Sequence, residues 1–223
     1  MGSKTGNDCI ADEIYEKLKK SIINLEIEPG QPLTESALTK SLGASRTPIR
    51  EALHMLERDQ LVERSHNKGY IARGISEQDM SEIFEVRAVL ESWLAGKAAQ
   101  EISEGNLAVI DTCLQQAKAL YDEGRLEESD AKSNEIHNII AFVVNNRWGS
   151  RTIDMLTNFT TTYKKLAAMQ KGQIERAYRE HQLIYEALKA HDSQLASERM
   201  VEHIQNTRKA IQAACQNRTY KLQ

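Results

Sequence analysis

Ile10, Ile14, Leu18 and Ile22 recur every four residues, and Leu25 extends the stripe. This spacing predicts an amphipathic helix over about Cys9 to Leu25. The tripeptide Glu28-Pro29-Gly30 then breaks the pattern. Thr34 can cap a short second helix, Glu35 to Lys40, in which Ala37, Leu38 and Leu42 are apolar, and Gly43 suits a left-handed closing position. Ser45 opens a third helix, with Pro48 in its first turn and Ile49, Leu53 and Leu56 on one face. After Gln60 the period drops to two. LVERSHNKGYIARG alternates as a hairpin with a polar tip at His66 to Lys68.

Helix, tight turn, helix and basic hairpin is the layout of a winged helix-turn-helix, which sets one helix in the DNA major groove. Arg46 and Arg50 lie four residues apart on one face of that helix. From Ser76 the pattern is helical almost to the end and contains no proline. Six helices are predicted, at about 76–102, 105–123, 126–146, 149–170, 173–190 and 192–217, with breaks at Gly105, Gly124, Gly149, Gly172 and His191 to Ser193. Connections this short make antiparallel neighbours. The expected fold is mainly α. A disordered stretch at 1–8 precedes a winged helix-turn-helix domain with a small β-hairpin wing at 9–75, and an all-α antiparallel six-helix bundle follows at 76–223.

Charge refines this picture. The chain of 223 residues carries a net charge of −3, so bulk charge does not drive nucleic-acid binding. Residues 1–75 are balanced, with 11 basic and 11 acidic side chains, so DNA affinity has to come from local placement of Arg and Lys. Cys9, Cys113 and Cys215 are far apart and odd in number, which fits a reduced, cytoplasmic protein. No run of apolar residues is long enough for a membrane span, so no membrane partner is expected.

His137, His181 and His203 fall on three different predicted helices, each among apolar or small residues at helical spacing. Three helices can aim three imidazoles at one point, and imidazole is a common ligand for zinc, nickel, copper and iron. A metallohydrolase would also need a general base. No HExxH occurs, and Glu135 and Glu180, beside two of the histidines, are expected to point away, so an enzyme is not expected. Arg87 lies between Val86 and Leu90 in EVRAVLE, where a buried charge needs a partner such as Glu91 or a ligand carboxylate.

The N-terminal segment resembles the GntR family of bacterial transcriptional regulators, whose pattern is PGxxLxExxLAxxLGVSRxPVREAL. Pro29, Gly30, Leu33, Glu35, Leu38, Leu42, Gly43, Ser45, Arg46, Pro48, Arg50, Glu51, Ala52 and Leu53 stand at its places. Residues 83–99 and 180–204 are similar to the opening and closing helices of the FCD domain of the FadR-like branch, and six helices suit its VanR-type subgroup.

The resemblance implies that Ser45, Arg46, Thr47 and Arg50 contact an operator, with His66, Asn67, Lys68 and Gly69 of the wing beside them. Ser36 replaces an arginine that many relatives carry. In the bundle the resemblance implies a divalent metal, zinc or nickel, on His137, His181 and His203. The family's aspartate four residues before the first histidine is here Ser133, followed by Asn134, with Asp130 one turn earlier. A small carboxylate effector is expected near Arg87, Ser133 and Asn134. The implied protein is a homodimeric repressor on double-stranded operator DNA.

Overall fold

The computed structural model describes residues 6–24, 26–66, 69–74, 76–168 and 170–216. Two compact units meet in sequence between Ser76 and Glu77.

In the first unit, α1 spans Gly6–Ile23, α2 Glu35–Leu42 and α3 Arg46–Arg58. Helix α1 thus starts three residues before the expected Cys9, within the stretch expected to be disordered. Its buried stripe is Ala11, Ile14, Tyr15, Leu18 and Ile22, while Ile10 is exposed. The inward face is rotated by one residue, and Tyr15 belongs to it by donating its hydroxyl to Asp59. Thr34 caps α2 by accepting from the Ala37 amide at 3.2 Å, and Gly43 closes it at φ 65°. Ser45 occupies the N-cap position of α3, but its side chain makes no capping bond. Ile49, Ala52, Leu53 and Leu56 are completely buried, as the period of α3 demands.

The expected hairpin is β2 (Val62–Ser65) and β3 (Gly69–Ala72), paired antiparallel with Arg64 opposite Tyr70. A third short strand, β1 (Pro32–Leu33), pairs with the other edge of β3, giving the order β1-β3-β2. Leu33, Leu61, Val62, Tyr70 and Ala72 complete the core of this unit.

After residue 76 there are seven helices among the described residues, not six: α4 (Glu77–Glu101), α5 (Glu104–Asp122), α6 (Leu126–Ser133), α7 (Glu135–Val144), α8 (Arg147–Ala168), α9 (Gln173–Lys189) and α10 (Ser193–Gln216). The expected third helix is broken at Asn134, whose side-chain amide donates to the Asp130 carbonyl at 2.7 Å. Gly149 is not a break. The turn falls at Asn145, in left-handed conformation at φ 49°, and Gly149 lies inside α8. Gly105 likewise lies inside α5, which Ser103 caps.

Helix α4 packs against α7, α9 and α10 and turns Met80, Phe84, Arg87, Glu91 and Leu94 inward. Gly96 permits the close approach of α10. A Cβ there would meet the Ser197 hydroxyl and would sit 3.0 Å from the Ser193 carbonyl.

Candidate effector and metal site, and the DNA-reading surface

Three helices deliver the histidines: α7 carries His137, α9 His181 and α10 His203. One ligand nitrogen from each lies within 4.8 Å of the other two. The imidazoles of His181 and His203 are buried, and that of His137 is nearly so.

Each Nδ1 is engaged by a different neighbour. His137 Nδ1 donates to Glu91 Oε2 at 2.9 Å, and His203 Nδ1 donates to Glu180 Oε2 at 2.8 Å. His181 Nδ1 lies 2.6 Å from Ser133 Oγ. An ionised carboxylate only accepts, so Nδ1 of His137 and of His203 carries a proton, and in the neutral ring Nε2 then keeps its lone pair. His137 Nε2 and His181 Nε2 then face each other at 3.3 Å. Two lone pairs at that distance repel unless a cation or a proton lies between them.

A metal with nitrogen bonds of about 2.0–2.1 Å in tetrahedral array holds its ligands roughly 3.3 Å apart. The donor set suits a divalent ion, and the His137–His181 pair already stands at that spacing.

Electrostatics supports neutral imidazoles. Burial, then the neighbouring histidines and Lys164, hold His181 well below the ordinary histidine value; burial, His137 and Lys164 do the same for His203. Burial alone would raise the Glu91 carboxyl, but Arg87 and the His137 bond overcome it and hold Glu91 below the ordinary carboxylate range. Arg87 Nε donates to Glu91 Oε1 at 2.7 Å, so the buried guanidinium reaches the histidines through Glu91. Burial and Arg87 push the Lys164 ammonium down to about 8. Asp130, half-buried and in the field of Lys164 and His137, is raised by burial.

The site differs from the sequence reading at three places. Glu180 does not point away; it bridges His203 and the Asn206 amide, which donates to it at 2.8 Å. Ser133 orients His181 through its Nδ1, on the side away from Nε2. The Asn134 side chain is turned back to its own helix by its bond to the Asp130 carbonyl, and its backbone carbonyl accepts from the His137 amide at 3.1 Å. Lys164 was not anticipated. It directly follows the buried Tyr163 on α8, and no motif marks it.

In the first unit Ser45, Arg46, Thr47 and Arg50 are exposed at the start of α3. Arg50 is clamped by Glu35 of α2, with Nε to Oε1 and Nη2 to Oε2 both at 2.9 Å. That clamp uses one edge of the guanidinium and leaves the Nη1 edge outward. The Glu35 carboxyl is correspondingly lowered by its bond to Arg50.

His66 and Gly69 are exposed at the wing, with Gly69 at φ 73°; Asn67 and Lys68 lie outside the described residues. Glu57 of α3 ties the wing down by accepting from Tyr70 Oη at 3.2 Å and Arg64 Nε at 3.1 Å.

A three-helix winged unit followed by an all-α bundle is the architecture of a DNA-binding transcriptional regulator. Residues 82–206 match the FCD domain, and residues 10–71 match the bacterial regulatory proteins of the gntR family. The chain belongs to the GntR family of transcriptional regulators, with a C-terminal FCD domain, and is a regulator, not an enzyme.

It is 26% identical to the HTH-type transcriptional regulator YdhC of Bacillus subtilis over 86% of each chain. It is 27% identical to the HTH-type transcriptional repressor GlaR of Escherichia coli, over 90% of this chain and 94% of that one. The solved structure of E. coli McbR/YncC superposes with a TM-score of 0.75 at 20% identity, covering 96% of this chain and 99% of the other, and so shares its fold. No described helix is long and apolar enough to cross a membrane.

Proposed function

We propose that this protein is a cytoplasmic, homodimeric repressor whose grip on operator DNA is set by a small carboxylate held beside a divalent metal in the α4–α10 bundle. The observation that carries this reading is the trio of imidazoles whose Nδ1 atoms are held by Glu91, Ser133 and Glu180. His137, His181 and His203 hold the metal, zinc or nickel. A bound ion supplies a positive charge that accepts a carboxylate oxygen. Ser133 takes the place of an acidic ligand, so the metal keeps a position for an outside oxygen donor and the site gains no protein charge. Arg87 bears on the effector side through Glu91, while Ser133 supports the site from behind by orienting His181.

In the first unit, Arg46 and Arg50 read base edges, Ser45 and Thr47 hold the backbone, and His66, Asn67, Lys68 and Gly69 lie along the adjacent groove. The sequences at 83–99 and 180–204 favour the FadR-like branch; the six-helix count that suggested the VanR-type subgroup does not describe these seven helices. GlaR, a relative over most of the chain, is a repressor, which supports the same sign of regulation here.

The test is a thermal-shift screen of small mono- and dicarboxylates on metal-loaded protein, followed by operator titrations on DNA selected from a random pool. A stabilising acid is expected to weaken operator binding, and operator to weaken acid binding by the same factor. Equal acid affinity with and without operator would refute the regulatory link.

A further inference from the structure

Lys164 belongs to the second unit and lies on α8 between the buried Tyr163 and Ala167. The next residue, Lys165, is exposed, so the helix turns Lys164 inward. Its ammonium is in the field of Arg87, Glu91 and Asp130, and it acts in turn on His181 and His203. Among the described residues it has neither a hydrogen bond nor an ion pair. Glu91 is already engaged on both oxygens, Oε1 by Arg87 and Oε2 by His137.

An interior lysine that serves stability is paired with a carboxylate. An interior lysine that is desolvated and set beside another cation is instead a nucleophile. Arg87 is that cation here, and with burial it brings the Lys164 ammonium down to about 8. An acid stands in the same place. The half-buried Asp130 is pushed up by burial against the pull of Lys164 and His137. It gives up a proton less readily than an exposed aspartate and so can deliver one to a leaving oxygen.

We infer that Lys164 captures a carbonyl compound, a small 2-oxo acid, as an imine inside the bundle. The inference rests on the carboxylate-effector reading above and narrows that effector to acids with a carbonyl beside the carboxylate. The neutral Nζ adds to the carbonyl carbon, and one of its protons passes to the carbonyl oxygen. Asp130 protonates the resulting hydroxyl, the C–O bond breaks and water leaves. The nitrogen lone pair closes the C=N bond, leaving a protonated imine and an Asp130 carboxylate. Nothing is oxidised or reduced, and water reverses the step. A carboxylate on the adjacent carbon neutralises the iminium charge, which Arg87 would otherwise oppose.

Reductive trapping tests it. The full chain is incubated with glyoxylate, pyruvate, 2-oxobutyrate or 2-oxoglutarate and sodium cyanoborohydride, which reduces an imine to a stable secondary amine. Intact mass and peptide mapping then locate the adduct. One adduct per chain is expected, on Lys164, formed about tenfold or more faster than on surface lysines and about tenfold slower in Asp130→Asn. Lys164→Arg keeps the charge and is expected to lose that adduct alone; if it does not fold, the peptide map of the wild-type chain decides. No adduct on Lys164 with any of these acids, or labelling there no faster than at the surface, overturns the imine. Melting temperatures separate the two readings. If propionate and glutarate stabilise the protein as pyruvate and 2-oxoglutarate do, with nothing trapped, the imine falls and the carboxylate effector stands. If no acid moves the melting temperature and none is trapped, both fall.

Discussion

Glu180 sits one residue before His181, and one-helix geometry aims it away from that imidazole. It nevertheless serves the cluster, because α9 and α10 are neighbours and its carboxylate reaches His203. A period along one helix carries no information about the next helix, which is why the three histidines were legible in sequence and their orienting groups were not. Glu91 was legible only as the i+4 partner of Arg87; its second bond, to His137 on α7, is tertiary. Glu180→Gln is expected to lower zinc affinity roughly tenfold by loosening His203. Calorimetric titration with zinc checks this, and unchanged affinity would remove Glu180 from the site.

The same residues set a pH dependence in metal-free protein. His181 and His203 are held neutral when folded but bind protons when unfolded below about pH 6.5, so the unfolded chain takes up more protons there. Stability is then fully present above that value and is lost as pH falls. Glu91, held low in the fold, adds a further loss below about pH 4.5, while the raised Asp130 and Glu180 offset part of it. The melting temperature in chelator is expected to fall between about pH 7.5 and about pH 5.5, and to fall less in His181→Asn. A flat or opposite trend contradicts neutral buried histidines.

At the scale of elements, strong local signals were read correctly and weak ones were not. The Thr34 cap, the left-handed Gly43, the buried face of α3 and the hairpin follow from short-range chemistry. The break at Asn134 has no glycine or proline to announce it, and the turn before α8 is made by Asn145, while Gly149 serves inside the helix. Strand β1 is two residues long and exists only because β3 pairs with it.

The Arg50–Glu35 clamp joins α2 to α3 and bears on DNA reading. Arg50→Ala removes the guanidinium and leaves Glu35 without its clamp. Operator affinity is expected to drop about tenfold to a hundredfold with the fold unchanged. Electrophoretic mobility shift on the selected operator checks this, and unaltered affinity excludes Arg50 as a base reader. In the bundle, Gly96→Ala is expected to cost about 1–3 kcal/mol, because α10 has to move off α4. Thermal denaturation measures it, and an unchanged melting temperature means the helices yield freely.

At the scale of the molecule, the two classes of architecture were legible. One segment carries turn and hairpin chemistry, and the other is proline-free helix throughout. The family motif added the operator and effector roles, which no period encodes. Binding at the bundle can alter DNA binding only if the ligand prefers one arrangement of the protein over another. That requirement places the weight of the whole reading on the histidine cluster. If the cluster is a metal site, the carboxylate side follows from the ion's charge and its open position.

The most direct measurement is therefore the metal content of untagged protein purified without chelator, by elemental analysis, beside His181→Ala. About one zinc or nickel per chain, lost in the variant, is the expected result. Absence of metal from the wild-type chain, with zinc failing to bind on titration, would contradict it and leave the histidines, Arg87 and Lys164 as a pocket that takes an organic ligand directly.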